Sequence, residues 1–135
     1  MTQEQKDLLL KDLCSRLPYG VVIQEKCVVH DKTFLPNKEV DRLVSIDTHA
    51  DLLMTNCGSS YYLDEIKPYL FPLSSMTEWQ ERELEILMKN SIESCGMLSP
   101  YDCLEMERFF NENHIDWRGL IPMGLAIDAT GLNIY

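Results

Sequence analysis

The chain has 135 residues, of which 45% are apolar and 25% are charged, a composition typical of folded proteins rather than of disordered chains. A chain of this length is expected to form one domain with an ordinary core. The formal net charge is −10, and residues 61–135 carry thirteen acids against five bases. Because such a surface repels phosphate backbones, direct nucleic-acid binding is not expected.

The sequence also bears on location and on cysteine chemistry. The longest apolar run, residues 120–127, is interrupted by Pro122 and is far shorter than the roughly 20 residues of a membrane-spanning helix. The first residues lack the apolar core of a signal peptide, so we expect a cytoplasmic protein without a membrane span. The number of cysteines is odd and no two form a C-x-x-C pair, so we expect five reduced thiols. We expect Cys14, Cys95 and Cys103 to lie on the apolar faces of helices.

The first predicted element is a helix at the start of the chain. Thr2 and Gln5 form a capping-box pattern, and the leucines that follow repeat at helical spacing. Pro18 and Gly20 are residues that stop helices. The sequence therefore predicts a helix over residues 3–16.

Short strands are predicted next. β-branched residues favour strands at residues 21–23 and 27–29, and a polar loop is expected at residues 31–39. Two apolar runs, residues 43–46 and 52–55, flank a turn-forming stretch and predict a hairpin. We expect three or four antiparallel strands in a small sheet, with a partial barrel as one possible form.

Residues 61–73 hold four aromatic residues and two prolines, which makes this segment apolar and stiff. We interpret residues 61–76 as an aromatic and proline joint between unlike halves. Tyrosine and phenylalanine are enriched at protein interfaces, but they also pack in cores. Two interpretations therefore stay open: a structural joint, or a partner-binding surface formed by Tyr61, Tyr62, Tyr69 and Phe71.

A well-capped amphipathic helix follows this joint. Thr77 with Gln80 predicts its start, and the helix is expected to continue to about residue 94. Its apolar side is predicted to include Trp79 and Leu84.

A second helix and a packed tail complete the prediction. Ser99 followed by Pro100 and an acid predicts the start of this helix, which should end near Asn113. The short link between the two helices predicts an antiparallel hairpin. His114 is interpreted as a residue at the C-terminal end of the helix, and residues 117–135 are apolar enough to pack on the core as a short helical turn.

The predicted fold class is therefore α+β within a single domain, residues 1–135. Residues 1–60 supply a helix and a small antiparallel sheet. Residues 61–76 supply the joint, and residues 77–135 supply the helical hairpin and tail.

One motif points to metal chemistry. Residues 46–52 read Ile-Asp-Thr-His-Ala-Asp-Leu and resemble the D-x-H-x-D strand end of the arginase–agmatinase ureohydrolases. The resemblance implies that Asp47, His49 and Asp51 bind manganese in a small metal-dependent hydrolase. The chain, however, is much shorter than that family and lacks its G-G-D-H segment and second D-x-D strand. Because these residue types also favour turns, we prefer a hairpin without metal or cofactor. We predict no catalytic residue.

A second resemblance covers more of the chain. Residues 57–77, from Cys57-Gly58-Ser59-Ser60 to Met76-Thr77, are similar to a segment of small uncharacterised proteins encoded by prophages and mobile elements of gut anaerobes. Residues 13–20, Arg118-Gly119-Leu120-Ile121 and Gly124-Leu125-Ala126 resemble other parts of those proteins. The resemblance implies a bacterial cytoplasmic setting and a phage-borne accessory role, without an activity to transfer.

The leading functional hypothesis is a non-enzymatic interaction module that binds an unidentified protein of the host or the phage. The alternatives are the metal-dependent hydrolase and an acidic regulator that occupies a DNA-binding protein. The sequence leaves the oligomeric state open.

Overall fold

The structure is a computed structural model of α+β architecture, with an N-terminal helix, small sheets and C-terminal helices. It describes residues 1–25, 41–97 and 99–135, with residues 90–95 described by their backbone alone. The strand predicted at residues 27–29 and the polar loop predicted at residues 31–39 lie outside the described residues.

The described residues form three α-helices and six strands. The helices are α1 (Gln3–Arg16), α2 (Glu78–Cys95) and α3 (Pro100–Glu112). The strands are β1 (Ile23–Glu25), β2 (Leu43–Asp47), β3 (Leu52–Thr55), β4 (Ser60–Tyr62), β5 (Ile66–Leu70) and β6 (Ile127–Asp128).

Helix α1 forms as predicted. The Thr2 hydroxyl accepts the N–H of Gln5 at 3.2 Å, and the Gln5 side chain accepts the N–H of Thr2 at 2.9 Å. Leu9 and Leu13 turn into the core, where each large apolar side chain contributes about 1.5–3 kcal/mol. Gly20 follows in a left-handed conformation, with φ of 69°, and closes a short 3₁₀ turn after the helix.

Strands β2, β3 and β4 form an antiparallel sheet that includes the predicted hairpin. Ile46 and Tyr61 lie opposite Leu53 on its two neighbours, so all three face the interior. Turn residues 48–51 connect β2 to β3, which confirms the hairpin. Within the described residues this sheet is open, so the partial barrel is wrong.

A second sheet, in the order β1-β5-β6, was not predicted. β5 comes from the joint and is the central strand, although it contains Pro68. The Tyr69 N–H points to the β1 side, where it donates to Val22 at 2.9 Å, so the proline nitrogen points to the β6 side. Pairing with β6 is parallel and begins only at Tyr69, so the missing proline N–H removes no bond from the ladder.

The core has two parts. The larger one joins α1 to both sheets through twelve buried residues: Leu9, Leu13, Val21, Ile23, Leu43, Leu53, Leu63, Ile66, Leu70, Leu120, Leu125 and Ala126. The smaller one consists of Val22, Tyr69, Ala129 and Ile134. The thiols of Cys14 and Cys103 are exposed, so their predicted place on apolar faces is wrong, because both residues lie beside the buried stripe of their helices rather than within it. The Cys95 side chain lies outside the described part of the chain.

The C-terminal helices begin as predicted. Thr77 and Gln80 cap α2 with reciprocal bonds, and Ser99 and Asp102 do the same for α3. The two helices are in contact, and Gln80 near the start of α2 donates to Asn113 just beyond α3, at 3.0 Å. This bond favours the antiparallel hairpin, which stays a prediction. None of the described helices is long and apolar enough to cross a membrane.

The segment after α3 packs back on the core, as expected for an apolar tail. Leu120 and Leu125 are buried, and Ile121 packs partly against them. The segment forms turns followed by the short strand β6 rather than only a helical turn.

Candidate functional site

The four aromatic residues considered for partner binding are divided between interior and surface. Tyr69 is buried, Phe71 is half-buried, and Tyr61 is half-buried with its hydroxyl 3.1 Å from the Asp41 carboxylate. Tyr62 is the exposed member of the set. Residues 61–76 thus contribute β5 and most of β4 to two different sheets, and Tyr62 is the most exposed of the four side chains.

Tyr69 has a structural task that it shares with Tyr135. The Tyr135 hydroxyl accepts the Val22 N–H at 3.2 Å and donates to the Tyr69 carbonyl at 2.6 Å. It thus bridges two backbone groups at the start of the β1–β5 pairing. Burial raises the pKa of Tyr135 to about 12 and also raises the pKa of Tyr69, whose own hydroxyl bonds Gln24 at 2.7 Å.

The loop with the resemblance to a metal site is a hairpin turn. The Asp47 carboxylate accepts the N–H groups of His49 at 2.9 Å and Ala50 at 3.2 Å. Asp51 adopts a left-handed conformation, with φ of 51°. Across the described ranges, no group of three His, Cys, Asp or Glu side chains is arranged to hold a metal ion. The side chain that would be the first ligand thus stabilises the turn itself.

The sheet β2-β3-β4 has one small exposed apolar surface. Leu53 and Thr55 face the core, so Leu52 and Met54 point outward, and Tyr62 lies directly opposite Leu52. Val44 is exposed at an irregularity in the pairing of β2 with β3. We call the exposed large apolar residues of these strands, Val44, Met54 and Tyr62, the sheet surface.

A more exposed apolar surface lies on α2, α3 and their connection. The five most exposed large apolar side chains of the described chain all fall between residues 79 and 104. They are Trp79 (65% exposed), Ile86 (58%), Met97 (71%), Tyr101 (69%) and Leu104 (63%). We call these five residues the helix surface.

Helix α2 contributes little to the core. Of its described side chains, residues 78–89, none is buried, and Leu84 and Leu87 are half-buried. Most helical stability in proteins comes from tertiary packing, and α2 packs against α3. The exposed Trp79 and Ile86 are seven residues apart and therefore lie on one face of the helix, away from that contact. This face has no structural partner among the described residues.

Acidic residues predominate in the part of the chain that carries the helix surface. Residues 78–112 carry nine acids and three bases. Arg82 lies 3.9 Å from Glu78, and Arg108 lies 3.9 Å from Glu105 and 3.8 Å from Glu112. Exposed pairs of this length contribute little to stability, and they leave a clear excess of negative charge around the apolar side chains.

A buried ion network lies beneath these helices, and the sequence analysis missed it. Asp12 and Arg16 are fully buried and paired at 2.7 Å. Arg118 bonds Asp12 at 2.9 Å and Glu107 at 2.6 Å, and Arg16 donates to the Ile115 carbonyl at 2.8 Å. The network ties α1 to α3 and to the segment that follows it. The sequence did contain a signal for it. Residues 9, 12, 13 and 16 share one helix face, so a stripe that buries Leu9 and Leu13 also buries Asp12 and Arg16.

The two tryptophans have different environments. The Trp117 indole N–H donates to Asn111 at 3.1 Å, and the Arg118 guanidinium lies 4.1 Å above the Trp117 ring. Trp117 is thus fixed against the ion network, whereas Trp79 is largely exposed. Only Trp79 is positioned to contact a partner.

His114 is buried in an unusual conformation. Its φ is 54°, its ring stacks 3.8 Å from the Tyr135 ring, and its Nδ1 atom has no hydrogen-bond partner among the described residues. Burial, together with the charges of Arg16 and Arg42, lowers its pKa to about 4. His114 is therefore neutral at pH 7, and its visible role is packing just beyond the end of α3.

Comparison of the chain with protein-family models, curated protein sequences and solved structures found no match.

Proposed function

We propose that this protein is a non-enzymatic interaction module that binds another protein through the helix surface. The observation that carries the proposal is that the five most exposed large apolar side chains of the described residues all lie on α2, α3 and their connection. The antiparallel arrangement of α2 and α3 belongs to this proposal. So does the cytoplasmic, phage or mobile-element setting that the sequence resemblance implies.

Exposed apolar side chains grouped in one region are a mark of interaction sites, whereas scattered ones are ordinary. Tryptophan, tyrosine and methionine are also among the residue types that are enriched at interfaces. Trp79, Tyr101 and Met97 are all more than half exposed. Removing them from water would supply much of the free energy that association requires.

The α3 part of the helix surface belongs to a helix that is anchored at its C-terminal end. Phe109 of α3 is buried, Glu107 bonds Arg118, and Asn111 bonds Trp117. These contacts hold the C-terminal part of α3 against the rest of the protein. A surface that is fixed before binding loses less conformational entropy on association, which favours its use as a contact region.

Affinity capture with two matched variants tests the proposal. The helix variant carries Trp79→Gln, Ile86→Gln and Leu104→Gln, which keep good helix formers on the helices. The sheet variant carries Val44→Thr, Met54→Thr and Tyr62→Thr, which remove three exposed apolar residues from strands without lowering strand propensity. Each tagged chain is incubated with nuclease-treated bacterial lysate, and bound proteins are quantified by mass spectrometry.

We expect a stoichiometric protein partner that the wild-type chain and the sheet variant retain and the helix variant loses. Circular dichroism of each variant confirms that it is folded. A partner lost from the sheet variant but retained by the helix variant would assign binding to the sheet surface and overturn the proposal. Retention by both variants would overturn it as well.

A further inference from the structure

We infer that the partner of the helix surface is a segment of another protein that carries lysines or arginines beside its apolar residues. This inference rests on the proposed function and assigns the chemistry of the partner. It also gives the acidic residues on α2 a role in binding, because apolar contacts alone would not need them.

The apolar residues of the helix surface alternate with carboxylates along the helices. Glu83 is four residues after Trp79 and three before Ile86, so it lies on the same face of α2 as both. On α3, Glu105 is four residues after Tyr101 and next to Leu104. A partner segment that contacts the apolar side chains of either helix therefore passes within reach of a carboxylate of that helix.

The charge of this region indicates which sign of charge the partner carries. Nine acids and three bases in residues 78–112 give a local charge of −6, out of −10 for the whole chain. Two of the bases, Arg82 and Arg108, already lie close to carboxylates of their own helix. A basic segment would offset the remaining charge, whereas an acidic one would be repelled.

The same charge opposes a second copy of this chain as the occupant. Two helix surfaces in contact would bring together two acidic regions, and like charges across an interface are unfavourable. We therefore expect that the isolated protein does not dimerise through this surface, so that its apolar side chains remain available to a basic partner.

Two synthetic peptides test the inference. Both are amphipathic helices with the same apolar residues, and their polar face carries lysines in one peptide and glutamates in the other. Trp79 serves as the reporter in a Trp117→Phe background, because these are the two tryptophans of the chain. If Trp117→Phe does not fold, calorimetric titration of the unmodified protein makes the same comparison.

We expect the lysine peptide to shift the Trp79 emission to the blue with saturation, and the glutamate peptide to have no effect. The affinity should fall about tenfold or more between low salt and about 1 M salt, where the Debye length is only about 3 Å. The double substitution Glu83→Gln and Glu105→Gln should weaken binding several-fold. Its control, Glu4→Gln with Asp7→Asn on α1, removes the same charge from exposed positions elsewhere and should leave binding unchanged.

Equal binding of both peptides would overturn the basic partner but leave the helix surface as a contact region. If calorimetric titration shows that the helix variant still binds the lysine peptide, the contact lies elsewhere, which would count against the proposed function itself. If neither peptide binds, or if sedimentation shows self-association that the helix variant abolishes, the basic partner is wrong.

Discussion

At the scale of the residue, His114 makes the stability of the folded protein depend on pH. Its pKa is about 4 in the folded state, against 6.5 for an unperturbed histidine, mainly because it is buried. Between these two values the unfolded chain binds a proton that the folded protein does not bind. Stability from this group is therefore complete above pH 6.5 and falls as the pH is lowered toward 4.

We predict that protonation of His114 in the unfolded chain lowers the free energy of unfolding by about 3 kcal/mol between pH 6.5 and 4. Denaturant titrations at a series of pH values measure this loss. His114→Asn should flatten that part of the profile, because asparagine does not titrate and tolerates a positive φ. Equal pH profiles for the wild-type and variant proteins would show that His114 does not carry the effect.

A second prediction at this scale concerns the Tyr135 hydroxyl. Tyr135→Phe removes the group that bonds the Val22 N–H and the Tyr69 carbonyl, both in buried residues. We expect a loss of about 1–3 kcal/mol in the free energy of unfolding, because two backbone groups lose a partner. The control Tyr101→Phe, at an exposed position, should change it by less than about 0.5 kcal/mol. Similar values for the two variants would argue against the bridge.

At the scale of the element, structural features that depend on residues close in sequence were predicted, whereas those that depend on distant residues were missed. The capping pairs of α1, α2 and α3 and the β2–β3 hairpin depend on neighbours in sequence, and all were predicted. The second sheet was not, because its pairing joins β1, β5 and β6 across long separations. Pro68 added to the error, since a proline argues against a central strand unless its nitrogen faces an unpaired position.

Helix α1 shows how a correct periodic pattern can hide a polar interaction. The leucine spacing predicted the buried stripe, but Asp12 and Arg16 lie within it and are as buried as Leu13. Sequence spacing identifies which residues share a face, and it cannot show that Arg118, 106 residues away, completes the charge balance of Asp12.

We predict that Asp12→Ala lowers the free energy of unfolding by about 3–5 kcal/mol, because it leaves the buried Arg16 without its carboxylate and removes one of the two carboxylates that bond Arg118. Thermal and denaturant unfolding measure the change. The control Asp7→Ala removes an exposed carboxylate from the same helix and should cost less than about 1 kcal/mol. A loss of similar size in both variants would contradict a stabilising role for the buried network.

At the scale of the whole molecule, most of the fold contributes side chains to a core, whereas the described side chains of α2 do not. α1 and the two sheets hold the buried clusters, while the described side chains of α2 lie outside both. The candidate site was only partly predictable for this reason. The apolar side of α2 was predicted to include Trp79, but an apolar pattern does not reveal whether a side chain faces the core or a partner.

The unfolding free energy of the helix variant, with Trp79→Gln, Ile86→Gln and Leu104→Gln, tests this separation most directly. If these side chains serve a partner and not the fold, the variant should match the wild-type protein to within about 0.5 kcal/mol per substitution. A loss of about 1.5–3 kcal/mol per substitution would show that they are buried in the folded protein, which would contradict the helix surface as a binding site.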